Sequence, residues 1–252
     1  MVPSSYSSLL EMSSKPIIKL LASSGIGSRR WIAAIIKRGG VSVNGTIVQS
    51  FNEPVDPVKD SITIDGRQIS AKAEPIVYLM LNKPKGIISS TSDKRGSKTV
   101  IDILPEKYRQ IRLYPVGRLD KDSTGLIILT NDGELTLRLT HPRYEQEKEY
   151  VVRVEQCLDP EDRIKLEKGI QLDDGKTSPS KVKALKYPPF SYSVTIHEGK
   201  KRQVHRMFAA LGYVVVELKR LRLGNLRLGA LPEGEIRELT PRELQSLKCT
   251  DV

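Results

Sequence analysis

Asp120 occupies a polar, glycine-bracketed stretch, Tyr114-Pro115-Val116-Gly117-Arg118-Leu119-Asp120-Lys121-Asp122-Ser123-Thr124-Gly125. Arg118 stands two residues before it and Lys121 directly after it. The apolar run Leu126-Ile127-Ile128-Leu129 follows at once and reads as a strand. A loop tied to a buried strand is where a rigid scaffold presents a reactive group. The same residue types also build ordinary surface turns, so the loop does not define a site by itself.

Two further clusters carry reactive or charged groups. Glu147-Lys148-Glu149-Tyr150 lies at the entrance to a strand, and Glu198-Gly199-Lys200-Lys201-Arg202-Gln203-Val204-His205-Arg206-Met207-Phe208 leads into a helical pattern. There Val204, Met207, Phe208 and Leu211 keep one apolar face. Lys200, Lys201, Arg202, His205 and Arg206 fall opposite it or in the preceding turn, which suits either a solvated helix or a phosphate site. Other chemistries find no support. His141, His197 and His205 are too scattered for a metal site, and no cysteine joins them. There is no phosphate loop, no dinucleotide fingerprint and no Gly-x-Ser-x-Gly elbow. A reaction needing one carboxylate and no cofactor would fit what remains.

The elements that would position these groups fall into two blocks. In the first, Ile17 to Ala22 reads as a short helix ended by Ser24-Gly25. Ser28 caps a second helix whose Ile32, Ile35 and Ile36 share a face. Arg29 and Arg30 occupy its first turn, where the helix dipole disfavours cations, and Lys37 and Arg38 end it. Val41 to Val48 alternates across Asn44-Gly45, a hairpin signal, and Ser61 to Ile64 adds a strand. Residues 71–75 read as a linker. Beyond it, strands are expected at Tyr78–Leu81, Leu126–Thr130, Glu149–Val154, Ser180–Leu185 and Ser191–His197. Helices are expected from Asp132 through Thr140 and, capped at Asp159, through Lys168. The mixture predicts an α+β fold with a mixed, mainly antiparallel sheet.

The chain has 252 residues, enough for two domains. Its 41 Lys and Arg against 30 Asp and Glu give +11, which favours a polyanionic partner. No apolar run reaches the roughly 18–20 residues that span a bilayer. Cys157 and Cys249 form neither a ligand nor a redox spacing, which implies a reducing compartment. Residues 1–14 lack a secretory pattern and read as a flexible tail, so a cytoplasmic protein is expected.

Several motifs together resemble one family. Gly117-Arg118-Leu119-Asp120, the Ser123-Thr124-Gly125-Leu126 that follows, and Leu129 to Glu134 resemble the signature of the bacterial ribosomal RNA pseudouridine synthases. His141 to Tyr144, Glu147 to Tyr150 and Glu198 to Met207 match in order and spacing, as does Asn82-Lys83-Pro84-Lys85-Gly86. Residues 15–70 resemble the S4-type RNA-binding domain that members carry ahead of a catalytic domain, here 76–252. The resemblance implies isomerisation of a uridine in ribosomal RNA, of the large subunit rather than the small, by a monomer that needs no cofactor and acts on RNA or a pre-ribosomal particle. A non-catalytic RNA-binding or ribosome-assembly factor is the alternative. The family's essential aspartate maps to Asp120, as nucleophile at the sugar or as base on the ribose. Its base-packing tyrosine maps to Tyr150, the residue that fills the space of the flipped base to Arg118, and the apolar residue under the base to Leu218. Where relatives pair the aspartate with arginine or lysine, this chain has His205, with Arg206 next. A carboxylate close by is expected to favour the charged imidazole. RNA contacts are expected from Arg29, Arg30, Lys37, Arg38, Lys200, Lys201, Arg202 and Arg206.

Overall fold

The computed structural model of the protein describes residues 14–186, 189 and 191–248. The expected tail, apart from Ser14, and Cys249 lie outside the described residues. The chain divides into two compact units, residues 1–75 and 76–252.

In the first unit, helices α1 (Ile17–Ser23) and α2 (Arg29–Lys37) accompany strands β1 (Lys15–Pro16), β2 (Val41–Val43), β3 (Thr46–Ile47), β4 (Pro54–Val55), β5 (Ile62–Ile64) and β6 (Arg67–Ile69). The strands make two sheets, β1-β4 and β3-β2-β5-β6. Ile32, Ile35 and Ile36 of α2 join Ile17, Leu20 and Leu21 of α1 and Val41, Ile62 and Ile64 of the sheet in one core. The Ser28 hydroxyl accepts from the Trp31 amide at 3.1 Å and caps α2. With the isoleucines buried, Arg29, Arg30, Lys37 and Arg38 are exposed, Arg38 in an ion pair with Asp65.

The second unit holds β7 (Tyr78–Lys83), β8 (Tyr114–Pro115), β9 (Thr124–Thr130), β10 (Lys148–Val154), β11 (Gln171–Leu172), β12 (Gly175–Lys176), β13 (Lys181–Ala184), β14 (Tyr192–Ile196), β15 (Val215–Leu223), β16 (Leu226–Arg227) and β17 (Ile236–Glu238). Its helices are α3 (Glu106–Arg109), α4 (Gly133–Thr140), α5 (Pro160–Lys168), α6 (Gln203–Ala209) and α7 (Pro241–Lys248). The main sheet runs β13-β14-β10-β15-β9-β7-β17. Its path is antiparallel except where β15 pairs with β9. Leu79, Leu81, Ile127 and Leu129 enter one core, while Met80, Leu126 and Ile128 enter another on the opposite face. Burial on both faces explains why β7 and β9 read as unbroken apolar runs rather than alternating ones. The expected cap of α5 differs in detail. The Asp159 side chain makes no capping bond, and its amide instead donates to the Tyr213 hydroxyl at 3.1 Å. The long strand β15 had no counterpart among the expected elements.

The halves of this sheet meet at Lys219–Thr124 and Arg220–Gly125. Gly125 has φ +103°, and a Cβ there would stand 2.3 Å from the Arg220 carbonyl oxygen and 2.6 Å from its nitrogen. Backbone does not yield as a flexible side chain does. Gly125→Ala is therefore expected to cost at least about 2 kcal/mol in urea unfolding. Gly199, with nothing within 4 Å of a built Cβ, is the control position, and Gly199→Ala should stay within about 0.5 kcal/mol.

Candidate active site

The Asp120 loop is held on both sides of the aspartate. The Ser89 hydroxyl donates to the Leu119 carbonyl at 2.9 Å and accepts from the Leu119 amide at 3.0 Å. The Gly86 amide donates to the Lys121 carbonyl at 2.7 Å. The segment after β7 thus fixes the residues flanking Asp120, and Lys83 anchors that segment. Lys83 is 0% exposed, and its Nζ donates to the carbonyls of Pro84 at 2.9 Å and Ile87 at 2.7 Å. Burial pulls its pKa down to about 8, against the opposing pull of Asp122, Glu233 and Asp120.

A cavity of about 510 Å³ opens on this loop, within the roughly 300–1,000 Å³ usual for small-molecule sites. Asp120, Arg118, Tyr150, His205 and Leu218 all line it, as do Arg202, Lys148 and Arg220. Asp120 is half-buried. Among the described residues, its carboxylate makes no hydrogen bond and no ion pair within 4 Å. Arg118 is exposed, and Tyr150 and Leu218 are buried.

The cation nearest His205's expected role is differently arranged. Asp122, not Asp120, is the carboxylate close to His205, at 3.9 Å from Nε2. Arg202 grips that same Asp122 through two hydrogen bonds of 2.9 and 2.8 Å, which holds the Asp122 carboxyl below its ordinary value. Burial, and then the Arg202 charge, push the His205 imidazole below its ordinary value despite Asp122 and Asp120. The expectation that a neighbouring carboxylate would favour the charged ring is thus overturned, because desolvation and a like charge outweigh attraction. Arg206 does not face Asp120 either. Its guanidinium is bidentate to Asp174 at 2.9 Å on both arms, and it does not line the cavity.

The basic run before α6 is partly spent on the fold. Lys200 Nζ donates to the carbonyls of Gly175 at 2.9 Å and Lys176 at 3.1 Å, in the β11–β12 hairpin. Arg202 adopts φ +49° at the start of α6 and turns its side chain to Asp122. Lys201 is exposed. The reading from sequence missed Lys83, Asp122, Lys148 and Arg220. Only their neighbourhood in already notable segments signals the first three, and Arg220 carries no signal beyond standing two residues after Leu218.

Residues 77–210 match the model of the RNA pseudouridylate synthase family. The chain is 44% identical over 235 residues, 92% of this chain and 94% of the relative, to ribosomal large subunit pseudouridine synthase B of Bacillus subtilis (strain 168). An uncharacterized RNA pseudouridine synthase of Aquifex aeolicus (strain VF5) is 37% identical, covering 92% of each chain. A crystal structure of a pseudouridylate synthase superposes with a TM-score of 0.67 at 33% identity, over 92% of this chain and 98% of that one. The chain belongs to the RNA pseudouridylate synthase family and is a pseudouridine synthase.

The buried Lys83 and the half-buried Lys148 give the fold a measurable pH signature. Burial lowers Lys148, like Lys83, to about 8, against about 10.4 in an unfolded chain. Below pH 8 both states carry the proton, so the cost of burying the charge is fully present. Between pH 8 and about 10.4 the folded protein releases it first, and stability gains. Lys148→Met is expected to reduce the gain in urea midpoint between pH 8 and 10 relative to wild type. Identical pH slopes would show that folding does not lower the Lys148 pKa.

Proposed function

We propose that the protein converts a specific uridine of ribosomal RNA, in the large subunit, to pseudouridine, with Asp120 as the essential group. The observation that carries this reading is the Asp120 carboxylate itself, pinned at Leu119 and Lys121 yet unpaired in a cavity shared with Tyr150 and Leu218. The similarity to the large-subunit enzyme of Bacillus subtilis supports the choice of RNA. A uridine in folded RNA reaches such a cavity only by leaving its stack, which costs roughly a few kcal/mol. The extruded base packs on Tyr150 with Leu218 beneath it, and the exposed Arg118 fills the gap left in the RNA. Asp120 then acts at the sugar, as nucleophile or as base. Arg202 and Lys83 supply positive charge around it, since each senses the Asp120 carboxylate. The first unit is an S4-type RNA-binding domain that adds affinity through Arg29 and Arg30, and the enzyme works as a cytoplasmic monomer.

Tritium release from 5-³H-uridine-labelled bacterial ribosomal RNA tests the chemistry. Release by wild type that falls below detection in Asp120→Asn is the expected result. RNA binding without release from any ribosomal RNA fragment would instead establish a non-catalytic assembly factor. Mapping pseudouridines in RNA treated with wild type identifies the target. Replacing Arg29 and Arg30 together by Ala should weaken RNA binding and lower the slope of log affinity against log salt by about 2. An unchanged slope would remove the first unit from the RNA interface.

A further inference from the structure

Arg220 is 2% exposed, yet its guanidinium is incompletely used. Nε donates to the Leu126 carbonyl at 2.7 Å, while Nη2 has no hydrogen-bond partner. Of the carboxylates near the site, Asp122 binds Arg202, Glu147 and Glu149 bind Arg222, and Asp120, unpaired, makes no bond to Arg220. The neighbouring Lys148 offers no spare donor, because its Nζ donates to the carbonyls of Gln146, His197 and Glu198. Buried charged donors are normally satisfied, so a guanidinium left short at a cavity wall marks a missing polar occupant. The same wall holds two more orphaned polar atoms, Ser123 Oγ and His205 Nδ1.

Its place in the sheet says which part of an occupant Arg220 meets. Arg220 is the cross-strand partner of Tyr150, so their side chains project to one face. Leu218, two residues earlier on the strand, shares that face. All three line the cavity beside Asp120. A base packed between Tyr150 and Leu218 brings its edge, not its face, towards the guanidinium. A guanidinium has only donors, so it fits a carbonyl oxygen.

We propose that Arg220 binds a carbonyl oxygen of the target uracil and stabilises the negative charge that the base gains in the reaction. This rests on the isomerase reading above. As the N1–C1′ bond breaks, its electron pair stays with uracil, and the charge spreads onto O2 and O4. The ring then bonds C1′ through C5. The C5 proton leaves and N1 gains one, so the product is an isomer. A fixed donor at either oxygen is stronger for the departing anion than for the bound uridine, which is the condition for raising the rate rather than the affinity. If the oxygen is O4, Arg220 also disfavours cytosine, which carries an amine there.

The test is a cycle between residue and atom, run on a short ribosomal RNA fragment containing the mapped uridine with oxygen, 2-thio or 4-thio at that position. Single-turnover rates are read by digestion and nucleoside chromatography, with RNA affinity measured in parallel. Arg220→Gln is expected to slow the oxygen substrate by about 100-fold or more while RNA affinity changes less than about threefold. Sulfur at the bound oxygen should slow wild type and leave the variant no slower than it already is, the coupling that direct contact requires. Independent, multiplying losses at both positions would overturn the proposal, as would wild-type rates insensitive to either sulfur. Arg220→Lys, which retains the charge, serves in the same cycle if the glutamine variant does not fold. Absence of pseudouridine formation by wild type on the oxygen substrate would sink the isomerase reading itself. Formation with multiplying losses would sink the Arg220 assignment alone.

Discussion

The second unit depends on the seam at which β9 lies parallel to β15. Two residue pairs, Lys219–Thr124 and Arg220–Gly125, join the β13-β14-β10-β15 half of the sheet to the β9-β7-β17 half. The approach is so close that position 125 admits no side chain. Everything the site requires is arranged around that contact. Asp120 arrives on the loop that enters β9, Tyr150 on β10, and Leu218 and Arg220 on β15. Without the seam, Asp120 and the cavity residues Tyr150 and Leu218 belong to separate half-sheets.

A second constraint is the withdrawal from water of lysine ammonium groups that make no ion pair. Lys83 and Lys148 donate to backbone carbonyls rather than to carboxylates. Carbonyls satisfy the ammonium protons without forming an ion pair, and the Lys83 charge is felt by Asp122 and Asp120. Asp122 is already neutralised by Arg202, whereas Asp120 is not. The difference between two carboxylates two residues apart follows from these partners: Asp122 holds the wall residue Arg202, and Asp120 is left without an ion pair in the cavity.

Much of this was legible in the sequence, and the exceptions have a common cause. Val41 to Val48 announced a hairpin through Asn44-Gly45, and Ser28 announced the start of α2; both are local signals that report local structure. The apolar run at Leu126 to Leu129 announced a strand because burial on both faces leaves no polar residue in it. Strand β15 escaped because Glu217, Lys219, Arg220 and Arg222 make its nine residues look like a solvated segment. Whether an arginine is buried depends on what the sheet brings beside it, which no window of sequence contains. His205 shows the same limit: its neighbour Asp122 could be guessed, but the burial that outweighs that neighbour could not.

The basic segment before α6 has a consequence for how polyanions meet this protein. Arg202 and Arg206 already hold Asp122 and Asp174, and Lys200 is docked on a hairpin. Such residues carry their counterions with them, covalently attached to the same chain. A phosphate arriving there has to exchange places with a carboxylate instead of displacing dissolved salt. The formal charge of +11 therefore overstates the field at this segment. A polyanion binding there would undergo internal ion exchange, with less release of dissolved counterions than free lysines and arginines would give.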